Sequence, residues 1–171
     1  DVLNDPEAPT VGPDDADVTI VAFLDYNCPF CKQSAPHLKE LMETDPKVRV
    51  IFKDWPILTE ASVYGAQIAL AAKYQGAYTT AHDALMAIPG TRITKEEMLE
   101  AIRASGIDMT KLQSALDENG QAISDLIRRN LAQADALGLT GTPVYLIGPY
   151  LANGALDIAA FRETVAQARA E

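Results

Sequence analysis

Basic residues, cysteine, histidine and long apolar runs are all scarce in this sequence of 171 residues. It holds 14 Lys and Arg against 24 Asp and Glu, which gives a net charge of −10. Nucleic acid and anionic membranes repel an acidic surface, so we expect neither as a partner. No apolar run approaches the roughly 20 residues that a membrane-spanning helix needs. The charge therefore favours a well-solvated surface.

The few cysteines and histidines restrict the metal sites that the chain could build. Cys28 and Cys31 are the only cysteines, in "DYNCPFCKQSAP", and the only histidines are His37 and His82. A structural zinc site needs about four ligands. His37 lies on the helix that follows the cysteines, whereas His82 lies far along the chain. We expect no metal, and the chemistry suggested by the cysteines needs no organic cofactor.

The first part of the chain has the pattern of a βαβ unit. Residues 1–16 are rich in Pro, Asp and Gly and predict an extended lead-in, with a short edge strand at "PTVG". The apolar run 17–26 predicts a buried strand, and 48–55 a second one. Between them a helix begins at Pro29, which suits a first helical position, and Pro36 should bend it. The two strands should be parallel.

The pattern is helical from 59 to 137, where four or five helices are predicted without a strand between them. Thr59, Thr94 and Asp108 have the character of helix N-caps, and Thr94 forms a capping box with Glu97. A last helix is expected over about 120–137. Strand signals return at 143–148, "NG" at 153–154 is a hairpin signal, and Asp157 caps a final helix.

The sequence thus predicts an α/β fold, βαβ followed by ββα, with an all-helical insertion. The expected divisions are an extended lead-in over 1–16, a domain formed by 17–58 and 138–171, and an inserted helical subdomain over 59–137. The chain begins at Asp1 without a basic and apolar leader, which fits a mature secreted chain or a trimmed one.

The cysteine pair admits a structural and a redox interpretation. A disulfide across two intervening residues closes a very short loop, removes little entropy from the unfolded chain and is readily reduced. A CxxC that opens a helix directly after a buried strand is instead typical of redox sites. The helix start favours a negative sulfur on Cys28, which we expect to be the exposed, attacking cysteine. Cys31, one turn further, should be more buried and should resolve the mixed disulfide.

Four stretches resemble the DsbA-like branch of the thioredoxin superfamily: "FLDYNCPFC", "VRVIFKDWPIL", the helical insertion and "LGLTGTPVYLIG". They span nearly all of the chain from about residue 17. The resemblance implies a thioredoxin-like fold and a protein thiol:disulfide oxidoreductase. It also implies that Pro143 is a cis-proline facing the cysteines, and that Thr142 before it offers backbone hydrogen bonds to an extended substrate.

Two positions depart from the family pattern and should tune the site. Between the cysteines stand Pro29 and Phe30, whereas the strongest oxidants of the family have His in the second place. Phe30 supplies neither charge nor donor, so a less oxidising potential is expected. Ala22 stands where relatives commonly have a buried acid, which pairs with a lysine that we match to Lys53. We expect Lys53 to reach solvent, Asp25 or Asp54, and proton transfer at Cys31 to rely on water.

The resemblance implies a periplasmic enzyme that exchanges disulfides with reduced or misoxidised polypeptides and with a membrane or soluble redox partner. Isomerase relatives carry an oligomerisation segment, for which the lead-in before residue 17 is too short, so we expect a monomer. Thr before the cis-proline occurs in some of those isomerases, and an isomerase or reductase subunit stays open as an alternative. The other alternative is a binding or chaperone-like module whose CxxC is idle.

Overall fold

Residues 1–171 are all described by the structure, which is a computed structural model. Five strands form one sheet in the order β1-β3-β2-β4-β5. The strands are β1 (Thr10–Val11), β2 (Val18–Leu24), β3 (Val48–Asp54), β4 (Val144–Ile147) and β5 (Tyr150–Asn153). The central strands β2 and β3 are parallel, and the other neighbours are antiparallel. The expected βαβ unit and the edge strand at "PTVG" are therefore both present.

Six α-helices surround the sheet. They are α1 (Pro29–Thr44), α2 (Glu60–Ala72), α3 (Tyr78–Met86), α4 (Lys95–Ala104), α5 (Met109–Ala136) and α6 (Ile158–Arg169), with a short 3₁₀ turn at Lys73–Gln75. Helix α1 connects the two parallel strands, and α2 to α5 all lie between β3 and β4 in the chain. The fold is thus a thioredoxin-like α/β fold with a helical insertion. None of the helices combines the length and the apolar character that a membrane-spanning segment needs.

The local signals identified most helix starts. Pro29 is at the first turn of α1, and Thr59 and Thr94 form capping boxes with Ser62 and Glu97. A side-chain oxygen at such a position satisfies an amide that has no partner within the helix. Asp108 and Asp157 cap α5 and α6 in the same way.

Two local predictions are wrong. The region 109–136 is one helix of 28 residues, because Gly120 continues it rather than dividing it. The turn between β4 and β5 lies at Gly148 and Pro149, with Gly148 at φ +54°, whereas Asn153 ends β5 and Gly154 follows it. A left-handed backbone suits glycine, and both Gly148 and Gly154 adopt it, so the motif alone did not determine which glycine makes the hairpin.

The sheet divides the core into two clusters. The larger cluster contains 35 buried residues, among them both cysteines, and lies between the sheet, α1, α6 and the inserted helices. The smaller cluster, on the opposite face, consists of Ala8, Val21, Phe23, Ile51, Trp55, Ala134 and Val144. Alternate residues of β2 and β3 therefore face different clusters, as the alternation of side chains along a strand requires.

Candidate active site

The two cysteines lie at the carboxyl end of β2, at the start of α1. Cys28 is the N-cap residue of α1, and its Sγ accepts a hydrogen bond from the backbone N–H of Cys31, with 3.1 Å from N to Sγ. The first amides of a helix have no intrahelical acceptor, and they stabilise negative charge placed there. The strand positions Cys28, and the helix that Pro29 begins supplies the electrostatics.

The environment separates the acidities of the two thiols. The hydrogen bond from the Cys31 thiol holds the pKa of Cys28 at about 6, below the usual range of a thiol, although burial opposes this. The Thr142 side chain and the Cys31 N–H lower it further, and the charge of Asp25 raises it. Burial, followed by the neighbouring Cys28 sulfur, raises the pKa of Cys31 far above its usual value. At neutral pH the pair consists of one thiolate and one thiol.

The expected exposure of Cys28 is wrong. Only 2% of Cys28 is accessible, little more than the 1% of Cys31. The side chain of Cys28 is turned onto the first turn of α1, and Thr142 lies near both sulfurs. Phe30 is the exposed residue of the motif, with 56% of its surface accessible.

The Thr142–Pro143 peptide bond is cis, which confirms that expectation. It directly precedes β4, which pairs with β2. The loop before β4 therefore lies beside the loop that carries the cysteines, although more than a hundred residues separate them in the chain.

The expected surroundings of Lys53 are wrong. It is fully buried, and its Nζ has no hydrogen-bond partner, so it reaches neither solvent nor Asp25 nor Asp54. Burial lowers the pKa of Lys53, and the charge of Asp5 opposes that shift. Asp5 is itself paired with Arg129 at 2.8 Å.

The expected neighbour of Ala22 is also wrong. Strand register places Lys53 beside Phe23, on the face of the smaller core cluster. Ala22 lies beside Phe52 and, on the other side, beside Tyr145, and these three belong to the larger cluster with the cysteines. Since alternate side chains point to opposite faces, Lys53 cannot be the partner of a residue at position 22. The neighbours of Ala22 in the sheet are therefore Phe52 and Tyr145, and neither is a lysine.

Asp25 is a site residue whose role the sequence did not reveal. Its carboxylate is buried and accepts four hydrogen bonds, from the amides of Asn27, Ile57 and Leu58 and from the Ser62 hydroxyl, at 2.7–3.0 Å. It thereby joins the loop before the cysteines to the segment after β3 and to α2. An acid three residues before Cys28, directly after a buried strand, was the available signal.

Asn27 connects the same loop to the start of α2 and to the loop between α3 and α4. Its side chain donates to Thr59 Oγ1 at 2.9 Å and to the Ile93 carbonyl at 3.2 Å, and its Oδ1 accepts the Ile93 N–H at 2.9 Å. Lys32, next to Cys31, donates to the carbonyls of Ile88 and Gly90 at 2.7 and 2.9 Å. The loop over 88–93 is thus held directly by residues of the cysteine motif.

A buried polar chain runs behind the site. Tyr78 donates to Asp54 Oδ2 at 2.9 Å, and Tyr26 lies 3.4 Å from the Tyr78 hydroxyl and 2.9 Å from His82 Nδ1. Burial raises the pKa of Asp54 to about 7 and lowers that of His82 to about 4. The spacing of these residues in the sequence did not predict this chain of hydrogen bonds.

The two histidines do not join the cysteines in a cluster. His37 Nδ1 accepts the Ile158 N–H at 3.1 Å, and His82 belongs to the chain behind the site. No group of three or more His, Cys, Asp or Glu side chains is placed to hold a metal ion.

The family model described as thioredoxin matches residues 4–167. The chain belongs to the thioredoxin family, and its fold and site are those of a thiol:disulfide oxidoreductase. Among curated relatives it is 29% identical over 160 residues to an Na(+)/H(+) antiporter, NhaA 1, of Salinispora arenicola. That match covers 92% of this chain but 24% of the antiporter, so the chain spans about a quarter of that relative's length.

Several solved structures are similar over nearly the whole chain. A thioredoxin-like oxidoreductase from Silicibacter pomeroyi is 35% identical, with TM-score 0.90, and the match covers 99% of this chain and 96% of that one. The thiol-disulfide exchange protein alpha-DsbA2 of Wolbachia pipientis is 32% identical, with TM-score 0.88 and coverages of 95% and 88%. A periplasmic thioredoxin-like protein of Salmonella enterica serovar Typhimurium is 30% identical, with TM-score 0.83 and coverages of 99% and 94%.

Proposed function

We propose that this chain introduces disulfides into extended polypeptides by exchange at Cys28 and Cys31. The observation that carries the proposal is the divided acidity of the pair, a Cys28 thiolate at neutral pH beside a buried Cys31 thiol. A stabilised Cys28 thiolate is a good leaving group, which favours transfer of the disulfide to a substrate. The similarity to a thiol-disulfide exchange protein supports the same reaction.

The substrate surface is proposed from the apolar side chains at this end of the sheet. Phe30, Ile57 and Leu58 are exposed, and the amides of Ile57 and Leu58 are bound by Asp25, three residues before Cys28. An apolar rim beside a reactive sulfur suits an unfolded chain, which exposes apolar side chains. Thr142 and Pro143 are proposed as the edge along which an extended substrate pairs.

A periplasmic or equivalent oxidising compartment is proposed with this activity. The description of the Salmonella relative as periplasmic supports it. We further propose that the chain acts as a monomer and that a membrane or soluble redox partner reoxidises the pair. The antiport activity named for the Salinispora relative is not part of the proposal, because the chain spans only a quarter of that protein.

Alkylation and glutathione titration test the exchange activity. The rate of alkylation of the reduced protein should follow a single ionisation near pH 6 and should be lost in Cys28→Ser. Equilibration with glutathione should form the Cys28–Cys31 disulfide in mildly oxidising buffer, followed by mass after acid quenching. An alkylation midpoint near 8.5, together with a pair that stays reduced, would identify an idle motif and overturn the proposal.

Refolding assays distinguish an oxidase from an isomerase. The oxidised protein should form disulfides in a reduced substrate such as ribonuclease, yet recover little activity from the scrambled form of that substrate. Light scattering should give the monomer mass of 18.4 kDa for this chain. Strong recovery from scrambled ribonuclease would instead favour an isomerase.

A further inference from the structure

The strand next to Ala22 carries a buried tyrosine hydroxyl that has no role in the exchange reaction described above. In the pairing of β2 with β4, Ala22 lies opposite Tyr145. Tyr145 is fully buried, and its hydroxyl makes no hydrogen bond of good geometry, although the Ser34 hydroxyl lies nearby. An unpartnered buried hydroxyl is costly and uncommon, so its presence requires an explanation.

Packing does not provide that explanation. The Tyr145 ring meets Phe161 edge to face, with 5.0 Å between the centroids, and phenylalanine would make the same contact. Phenylalanine would also fill the same place in the larger core cluster without burying an oxygen. Packing therefore explains the ring of Tyr145 but not its hydroxyl.

The surroundings of the hydroxyl point towards the cysteines. Tyr145 shares the larger core cluster with Cys28 and Cys31. Cys31 and Ser34 lie three residues apart on the buried face of α1, and Ser34 Oγ already accepts the Leu156 N–H at 2.9 Å. Burial raises the pKa of Tyr145, the nearby Ser34 hydroxyl opposes this, and negative charge on Cys31 and Cys28 adds to it. The phenol thus stays protonated at neutral pH and is a hydrogen-bond donor on the side of the core that contains the cysteines.

We propose that the Tyr145 hydroxyl, on the strand next to the small Ala22, stabilises the Cys31 thiolate during disulfide exchange. The inference rests on the proposed function. No other neighbour of Ala22 in the sheet offers a donor, because its partner in β3 is Phe52.

The step is balanced as follows. A substrate thiolate attacks Cys28 Sγ of the oxidised protein, the Cys28–Cys31 bond breaks, and its electron pair leaves on Cys31 Sγ. Tyr145 donates a hydrogen bond to that sulfur and keeps its own proton, and water later protonates Cys31. A second substrate thiolate then attacks the substrate sulfur of the mixed disulfide, and Cys28 leaves as a thiolate. The substrate is oxidised and the protein is reduced.

Tyr145→Phe tests this, since it removes only the oxygen. Oxidised protein is reduced by dithiothreitol over pH 5–9, and the thiols are quenched with acid and counted by mass. We expect the variant to react about tenfold more slowly or more, as befits loss of a hydrogen bond to a charged group. Because Cys31 is a thiol in the reduced ground state, the glutathione equilibrium and the alkylation midpoint of Cys28 should not change.

Tyr150→Phe is the matched control, because the Tyr150 hydroxyl lies at the surface and contacts Glu171. It should react like the wild type. Rates for Tyr145→Phe equal to the wild type at every pH would overturn the inference alone. A slower rate accompanied by a shifted Cys28 midpoint or lower stability would also overturn it, in favour of a structural role. A wild-type protein that does not exchange would overturn the proposed function and this inference together.

Discussion

Cys28 owes its low pKa to groups within one helical turn and to one residue distant in the chain. The Cys31 thiol and the Cys31 amide are local, whereas Thr142 reaches the sulfur only because β4 pairs with β2. Phe30 contributes no charge, which agrees with a pKa of about 6 rather than the far lower values at the acidic end of the range for such cysteines.

Asp54 and His82 should have opposite effects on stability as pH changes. Burial raises the pKa of Asp54 to about 7, so the folded protein keeps a proton that the unfolded chain loses above about 4. The contribution of Asp54 therefore falls as pH rises from 4 to 7. The pKa of His82 is lowered to about 4, so its contribution rises between 4 and about 6.5.

Asp54→Asn should separate these two effects. Of the two contributions, only that of His82 then remains. The free energy of unfolding should therefore rise with pH between 4 and 6.5 more steeply than in the wild type. We expect the curves to diverge by roughly 2 to 4 kcal/mol over this window. Urea unfolding at pH 4.5, 5.5 and 6.5 measures this, with Asp14→Asn at an exposed site as the control. Parallel curves for Asp54→Asn and the wild type would contradict a buried neutral Asp54.

Helix α1 holds the loop over 88–93 as well as the cysteines. Lys32 donates to two carbonyls of that loop, and its ammonium is the only side-chain group that bonds both the Ile88 and the Gly90 carbonyl. Lys32→Met should loosen the loop and raise the rate of tryptic cleavage after the exposed Arg92 several-fold, measured by mass over time. Lys39→Met is the matched control, because Lys39 makes only an exposed ion pair with Asp83. Equal cleavage rates in the two variants would count against the role given to Lys32.

Two helical glycines should respond oppositely to alanine. A Cβ at Gly65 in α2 would lie 3.0 Å from Met98 Sδ and 3.3 Å from the Tyr26 ring, whereas one at Gly120 in α5 would meet nothing within 4 Å. Alanine in an exposed helix interior stabilises by about 0.5–1 kcal/mol, which we expect for Gly120→Ala. Overpacking costs about 1–3 kcal/mol, so Gly65→Ala should be destabilising. Denaturant unfolding of both variants tests these two predictions. Stabilisation by Gly65→Ala would contradict the expected overpacking, because it would show that α2 and α4 can separate freely.

The stability of the whole molecule should depend on the redox state of the pair. Folding lowers the pKa of Cys28 to about 6, so between pH 6 and about 8.5 the folded reduced protein binds fewer protons than the unfolded one. The free energy of unfolding of the reduced form should rise with pH through that window, relative to the oxidised form, which has no thiol. Below pH 6 this contribution is lost.

Urea unfolding of the reduced and oxidised proteins at pH 5.5, 7 and 8.5 measures the difference. All titrating groups except the two thiols are common to the two forms, so they cancel to first order. Cys31 ionises only in the unfolded reduced chain, near pH 8.5, and therefore matters only at the top of this range. Cys28→Ser should abolish the rise that the reduced protein shows. A difference that stays constant with pH would contradict a stabilised Cys28 thiolate.

The sequence by itself determined the local part of this protein. The βαβ unit, the helix starts at Pro29, Thr59, Thr94 and Asp157 and the strand-to-helix position of the cysteines follow from short-range periodicity and capping. These signals arise from residues a few positions apart, where backbone hydrogen bonding and the helix dipole act. They were also enough to place the thiolate on Cys28.

Only the tertiary structure decided what stands beside each buried group. Strand register puts Phe52 and Tyr145 next to Ala22 and turns Lys53 to the opposite face, and a shift of one residue would have reversed that arrangement. Three of the four bonds to Asp25 and the chain from Asp54 to His82 join segments more than twenty residues apart. Their energies depend on burial and on distances between side chains, which periodicity along one chain does not contain.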